Sequence, residues 1–290
     1  MKEDLYFIGF LVNVDDSILK LQLGNGFLID KREQQEIMPF LQRLDFHYGA
    51  KSGFEIINFK QDGRPLGCYC INKHFPEFVG STRDIQQSLR DKLRLLRLFK
   101  EGNIFMRYSL FYHLKESIPQ VAQISREYPL TDQTLFQLID DEYAQAESFI
   151  NNTNIPFKQS FLRLAFDSFE QSYETYNRGL TFLSLMISID ALFGDFSELK
   201  YRVSRNTAVL LGNNIDESQK IFSDMNELYK KRSAVAHGGK DGKIVESKDV
   251  IKLRNYVRES IKLINKLHLN RKELLNVLNQ SGFGQSPLLK

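Results

Sequence analysis

The sequence predicts an α+β domain followed by an all-α helical bundle, and two patterns support this fold class. In the first 115 residues or so, short stretches rich in β-forming residues alternate with turn-forming residues and two helical segments. From about residue 131 onward the apolar residues recur with the 3.6-residue period of a helix. We therefore expect an α+β domain over 1–128, a helical bundle over 129–280 and a flexible tail over 281–290.

Within the first domain, turn-forming residues separate the predicted elements. The predicted helices cover 31–44 and 84–100, and the second has leucines spaced by three and four residues along one face. Residues 117–130 contain two prolines and are predicted to form the linker to the bundle. The predicted strands cover 5–14, 18–23, 27–29, 54–59, 68–71 and 104–114.

The second domain contains a run of predicted helices around one apolar helix. That helix, 180–193, is apolar nearly all round and is predicted to lie at the centre of a bundle. At 14 residues, with Asp190 among them, it is too short to cross a bilayer. The other predicted helices cover about 131–149, 157–176, 197–211, 216–236, 245–268 and 271–278.

The N-terminus and the cysteines bear on cellular location. The charged first four residues are followed by an apolar run that is too short for a signal peptide. Cys68 and Cys70, the two cysteines, are separated by one residue, a spacing that rarely permits an unstrained disulfide. We expect reduced cysteines in a strand of a cytoplasmic protein that does not enter a membrane.

Charge is distributed unevenly along the chain, although the net charge is only +3. Residues 130–196 carry 3 basic against 10 acidic side chains, whereas residues 197–290 carry 18 against 10. A basic C-terminal third fits a phosphate-bearing partner such as RNA. Charged helix faces in contact with solvent produce the same pattern, so charge alone leaves both interpretations open.

One motif, Tyr-Lys-Lys-Arg-Ser-Ala-Val-Ala-His-Gly-Gly over residues 229–239, combines phosphate-binding and proton-transfer chemistry. The guanidinium of Arg232 can donate two parallel hydrogen bonds to a phosphate and keeps its charge at all physiological pH values. The imidazole of His237 titrates near neutrality and suits proton transfer. A basic helix end with a histidine on its last turn is the alternative interpretation.

Asp190 lies within the predicted central helix, where an ionised carboxylate is costly unless a cation or hydrogen bonds compensate it. It therefore requires a partner, and Arg202, Arg205 and Arg232 are the candidates. The pair either fixes the packing of the helices or orients an arginine or histidine of an active site.

Three blocks in this order resemble the HEPN superfamily of helical bundles, and specifically its Apea-like branch. The blocks are Ile-Asp-Ala-Leu-Phe-Gly over 189–194, Tyr-Arg-Val-Ser-Arg over 201–205 and the motif over 229–239. The resemblance covers about residues 155–270. It implies a bundle of four to five helices that dimerises through the helices bearing the motif. Many members are metal-independent ribonucleases in toxin, antiviral or stress-response systems.

The resemblance also implies roles for individual residues. Arg232 would bind the scissile phosphate, His237 would act as general acid and base, and Asp190 would be the supporting acid. Ser233 stands where active members often have asparagine, and its hydroxyl can still form hydrogen bonds. Further supporting or RNA-binding residues would be Arg202, Arg205, Tyr229, Lys230 and Lys231. No metal and no cofactor are expected.

We therefore expect a HEPN-type endoribonuclease that cleaves single-stranded RNA at a composite site in a homodimer. The alternative is a non-catalytic HEPN module that dimerises and binds RNA, a nucleotide or a protein partner. The N-terminal domain carries no motif that assigns a role. Its position suggests a sensing or regulatory module with an unidentified ligand or protein partner.

Overall fold

The computed structural model describes residues 4–49, 52–60, 62–127, 134–194, 198–236 and 245–288. The chain divides into two units, residues 1–154 and 155–290. The first combines an antiparallel sheet with helices and the second is helical, as the sequence predicts. The division lies 26 residues beyond the predicted boundary at residue 128.

The described part of the N-terminal unit contains a six-stranded antiparallel sheet with the order β2-β4-β1-β5-β6, and β3 pairs with β4. The strands are β1 Leu5–Val12, β2 Leu28–Arg32, β3 Asn58–Phe59, β4 Pro65–Phe75, β5 Phe105–Lys115 and β6 Ile118–Arg126. The helices are α1 Gln34–Tyr48, α2 Ser52–Glu55, α3 Thr82–Phe99 and α4 Tyr143–Asn152, with a 3₁₀ helix at Asp16–Lys20.

Helices α1 and α3 cover opposite faces of this sheet. Apolar residues of α1 share a buried cluster with Leu110 of β5, whereas Gln86 of α3 donates a hydrogen bond to the neighbouring Ser109. Successive residues of a strand point to opposite faces, so the two helices lie on different sides. Cys68 and Cys70 are buried, unpaired by a disulfide and on the α1 face, as predicted for reduced cysteines.

Two predicted strands are wrong, for local reasons. The first half of the 18–23 prediction is part of the 3₁₀ helix, because the Asp15 side chain accepts a hydrogen bond from the Ser17 amide and caps that turn. The 54–59 prediction begins within α2 and retains only the two residues of β3. In the first place Leu21 and Leu23 are buried outside any strand, whereas Phe54 in the second place is 75% exposed.

The predicted linker is instead largely strand β6. Glu116 and Ser117 both have positive φ angles, of 50° and 67°, and form the two-residue turn between β5 and β6. Positive φ at both positions is the geometry of a type I′ hairpin turn, which glycine and asparagine favour. Pro119 is compatible with β6 because this strand lies at the edge of the sheet.

The segment after β6 also belongs to the N-terminal unit, which explains the later domain boundary. The Phe136 amide donates to the Asn13 carbonyl at 2.8 Å, and the Phe136 side chain is fully buried. The Lys92 ammonium donates to the Asn151 side chain at 2.8 Å and joins α3 to the end of α4. The helix predicted from residue 131 begins only at Tyr143.

In the C-terminal unit the helices pack around α6, which contacts α5, α7, α8 and α9. This arrangement confirms the prediction of a central helix at 180–193. The helices are α5 Ser160–Glu174, α6 Arg178–Phe193, α7 Leu199–Leu211, α8 Ile215–Ala236, α9 Ser247–Leu267 and α10 Arg271–Gln280.

The segment predicted to be a flexible tail packs against the helices over its described residues, 281–288. The Ser286 hydroxyl donates to the Leu210 carbonyl at 2.9 Å, and the Gly284 amide donates to the Ser218 hydroxyl at 3.0 Å. The ring of Phe283 contacts that of Phe222. These contacts correct the prediction, because they connect the segment to α7 and α8.

Candidate functional site

The candidate site begins with Asp190 in the last turn of α6. The helix starts at an Asn177 cap, whose side chain accepts a hydrogen bond from the Leu180 amide at 3.2 Å. It ends at Gly194, whose amide donates to the Asp190 carbonyl at 2.7 Å. A side chain at Gly194 would place its Cβ 2.6 Å from that carbonyl oxygen, so the close turn requires glycine.

Tyr229 and Arg232 of α8 contact the Asp190 carboxylate together. They are three residues apart on the helix, a spacing that brings side chains to the same face. The Tyr229 hydroxyl donates a short hydrogen bond to Oδ1 of Asp190. The Arg232 Nη2 lies 3.2 Å from Oδ2 of the same carboxylate, and its guanidinium lies 5.6 Å from the centre of the Tyr229 ring.

Exposure differs sharply within this cluster of Asp190, Tyr229 and Arg232. The Asp190 side chain is 18% exposed and Tyr229 is 6% exposed, whereas the Arg232 side chain remains 37% exposed. A guanidinium has five N–H donors, more than the contact with one carboxylate oxygen uses. The buried residues therefore hold an arginine whose outer side can bind an anion.

Burial determines the electrostatics of the cluster. Burial raises the pKa of the Asp190 carboxyl, and the Tyr229 hydrogen bond and the Arg232 charge offset this rise only in part. Burial and the neighbouring carboxylate also raise the pKa of the Tyr229 hydroxyl. The phenol therefore stays protonated and donates its hydrogen to Asp190.

The lysines and the serine of the motif lie in different environments. Lys231 pairs with Asp249 of α9 at 2.5 Å, and both side chains are mostly buried. Lys230 pairs with Glu227 on the exposed face of α8. Ser233 is exposed beside Arg232. Lys231 therefore connects two helices and is poorly placed for the predicted contact with RNA.

The arginines of α7 do not pair with Asp190. Arg205 donates to the Leu278 carbonyl at 2.9 Å and to the Ser281 carbonyl at 2.7 Å, which satisfies the C-terminal end of α10. Arg202 lines a groove between α7 and α10. Of the three candidate partners, the structure thus selects Arg232. The contacts of Arg205 join α7 to the end of α10 and stabilise the bundle.

His237, Gly238 and Gly239 lie outside the described residues, and α8 is described as far as Ala236. Within the described ranges, no group of three or more histidine, cysteine or acidic side chains is arranged to hold a metal ion. Over the same ranges, none of the helices is both long enough and apolar enough to cross a membrane.

The sequence pattern missed the link between Tyr229 and Asp190. The resemblance implies only a supporting or RNA-binding role for Tyr229, yet its ring is buried and its hydroxyl contacts the acid directly. The three-residue spacing to Arg232 was the available signal, since it placed an aromatic donor on the face that carries the arginine.

In the N-terminal unit, a cavity of about 470 Å³ lies between α1 and the edge strand β6. Arg43, Phe46 and His47 line its α1 side, and Phe46 is 87% exposed.

Comparisons of the whole chain with protein-family models, with characterised proteins and with solved structures found no match.

Proposed function

We propose that the C-terminal unit is a HEPN-type endoribonuclease that cleaves single-stranded RNA without a metal ion. The observation that carries the proposal is the cluster of Asp190, Tyr229 and Arg232. A carboxylate on the central helix holds a partly exposed guanidinium five residues before His237. Such an arginine is oriented in advance for a phosphate group, which lowers the entropic cost of binding in the reactive geometry.

Metal-independent RNA cleavage has three chemical requirements. A base removes the proton from the 2′-hydroxyl, cations stabilise the negative charge of the phosphorane, and an acid protonates the 5′-oxygen. In our proposal Arg232 supplies the cation and His237 transfers protons. The product ends are a 2′,3′-cyclic phosphate and a 5′-hydroxyl.

One Arg232–His237 pair meets only part of these requirements. A two-fold dimer would bring a second pair to the same cleft, so that one histidine acts as the base and the other as the acid. We therefore propose a homodimer with a composite site, in a defence, toxin or stress-response setting. The N-terminal unit would then sense an unidentified ligand or partner, and the cavity beside β6 is a candidate place for it.

The test is cleavage of total RNA by the pure protein in EDTA, with chemical analysis of the new ends. Cyclic phosphate ends from the wild type, with cleavage reduced about a thousandfold in Arg232→Ala and in His237→Ala, support the proposal. Intact RNA with the wild type, or equal activity in all three proteins, contradicts it.

The non-catalytic HEPN module is a second candidate because both carboxylate oxygens of Asp190 contact side chains of the bundle. Its carboxylate contacts Tyr229 and Arg232 and joins α6 to α8, which is also the arrangement of an ion pair that fixes helix packing. In that case Arg232→Ala would lower the free energy of unfolding while the wild type binds RNA and leaves it intact.

A further inference from the structure

A groove with a volume of about 380 Å³ lies between α7 and α10 of the C-terminal unit. Three cationic side chains line it, Arg202 from α7 and Arg271 and Lys272 from α10. None of the described residues that line the groove is acidic. Positive side chains facing one concave surface attract an anion more strongly than the same charges spread over a convex face.

The remaining polar lining consists of carboxamides. Asn206 of α7 is 3% exposed, and Asn276 and Asn279 project from the surface of α10. An asparagine side chain offers two donors and one acceptor group, so it can bind the polar edges of a sugar or base as well as a phosphate oxygen. Cations beside carboxamides therefore fit a nucleotide better than a simple carboxylate ligand.

The groove contacts the C-terminal end of α6, the helix that carries Asp190. The guanidinium of Arg271 donates a short hydrogen bond to the carbonyl of Gly194, the residue that ends α6. Asp190 lies one turn before Gly194, and Phe193 lines the groove. Asp190 and the groove are therefore both located at the C-terminal end of α6.

We propose that this groove binds a phosphate group of a second nucleotide of the RNA strand, next to the nucleotide at Arg232. The proposal rests on the proposed function, because the nucleotide at Arg232 is part of it. Lys272 contacts the phosphate, and Asn276 hydrogen-bonds to the adjoining sugar or base. Arg271 keeps the groove in place through its bond to Gly194.

Lys272→Glu is the sharpest substitution for a test. Lys272 is exposed and is the second residue of α10, where an acidic side chain interacts favourably with the helix dipole. The variant therefore keeps its fold while the charge in the groove is reversed. Lys220→Glu is the matched control, because Lys220 is also an exposed lysine near the start of a helix, α8, and does not line the groove.

The experiment measures binding of a fluorescent, 2′-O-methylated single-stranded RNA to the full chain by anisotropy over a range of salt concentrations. This RNA cannot be cleaved through its 2′-oxygens, so a failure of the proposed nuclease activity leaves the measurement intact. Lys272→Glu is expected to bind about tenfold more weakly and to lower the slope of log K against log salt by about 0.7, the value for one phosphate contact.

The Lys220→Glu control is expected to keep the wild-type slope. Equal affinities and slopes for Lys272→Glu and Lys220→Glu overturn the proposal. A parallel titration with 5′-AMP separates the two sources of a nucleotide phosphate. If Lys272→Glu abolishes binding of 5′-AMP but leaves RNA binding at the control values, the groove holds a free nucleotide and the RNA proposal is wrong.

Discussion

At the scale of single residues, Asp190 determines what Arg232 can do. A carboxylate on a central helix would be unfavourable alone, and Tyr229 and Arg232 compensate its charge from α8. Because the acid and the phenol are buried, the geometry of the exposed arginine is set by the packing of two helices. An exposed arginine without such support would lose side-chain entropy on binding a phosphate.

Asp190 should make stability depend on pH. Its pKa is raised in the folded state above the unfolded value of about 3.9, so the folded protein binds this proton more tightly. Its contribution to the free energy of unfolding therefore grows as the pH falls through the raised pKa, and is complete below about 3.9. Asp190→Asn lacks this titration.

Urea unfolding at several pH values measures the effect. The free energy of unfolding of the wild type minus that of Asp190→Asn should increase as the pH is lowered across that window. A difference that is constant or decreases would show that burial does not dominate the electrostatics of this carboxyl.

The sequence was enough to predict that Asp190 needs a cationic partner, since burial of a charge has a known cost. It was not enough to choose among Arg202, Arg205 and Arg232. These arginines lie on two different helices, and their distances from Asp190 depend on packing that no local pattern encodes. Arg205 instead donates hydrogen bonds to carbonyls more than 70 residues away in the chain.

At the scale of secondary-structure elements, the ion pair of Lys231 and Asp249 holds α8 against α9. The side chains are 18% and 11% exposed, so removal of the lysine leaves a poorly solvated carboxylate. We expect Lys231→Met to lower the free energy of unfolding by about 2 kcal/mol, less than for a fully buried pair. Lys230→Met, which breaks an exposed pair on the same helix, should lower it by less than about 0.5 kcal/mol.

The pH dependence of the Lys231→Met effect provides a check. Burial raises the pKa of Asp249, but hydrogen bonds from Lys231 and from the Glu246 amide outweigh this and lower it overall. The pair therefore contributes fully above the unfolded value of about 3.9 and is lost as the pH falls through the lowered pKa. Urea titrations at neutral pH measure the free energy of unfolding of both variants. If Lys231→Met and Lys230→Met lower it equally, a structural role for Lys231 is contradicted.

The hairpin between β5 and β6 offers a stabilising change. Glu116 and Ser117 have positive φ angles that cost a side-chain-bearing residue about 1 kcal/mol each, whereas asparagine and glycine accept them readily. Glu116→Asn combined with Ser117→Gly should raise the free energy of unfolding of the full chain by about 1 kcal/mol. Unfolding in urea measures it, and a loss of stability would show that the turn is not of type I′.

Periodicity predicted the elements with long, regular patterns, such as α3, α6 and α9, and failed where local chemistry was unusual. The turn residues Glu116 and Ser117 are not typical of a type I′ hairpin, and the two prolines of 117–130 favour a linker over the strand β6. Residues 134–142 run beside residues 13–17, which follow β1, without a helical or strand pattern of their own. The α7/α10 groove combines residues about 70 positions apart, which a one-dimensional pattern does not bring together.

At the scale of the whole molecule, the proposed nuclease requires two chains at one cleft. If both Arg232–His237 pairs are needed, mixed dimers of wild type and Arg232→Ala are inactive. An equal mixture that exchanges subunits should then retain about a quarter of the wild-type rate, because random pairing leaves that fraction of wild-type dimers. Retention of about a half would show that each chain acts alone.

The most direct measurement for the central claim is a double-mutant cycle of Asp190→Asn and Arg232→Ala on RNA cleavage in EDTA. If Asp190 acts by orienting Arg232, Asp190→Asn alone slows cleavage roughly a hundredfold and has almost no further effect when Arg232 is already alanine. Arg64→Ala, which removes an exposed arginine of the N-terminal unit, should keep the wild-type rate. Independent, multiplicative effects of the two substitutions, or wild-type cleavage by Arg232→Ala, would contradict the account.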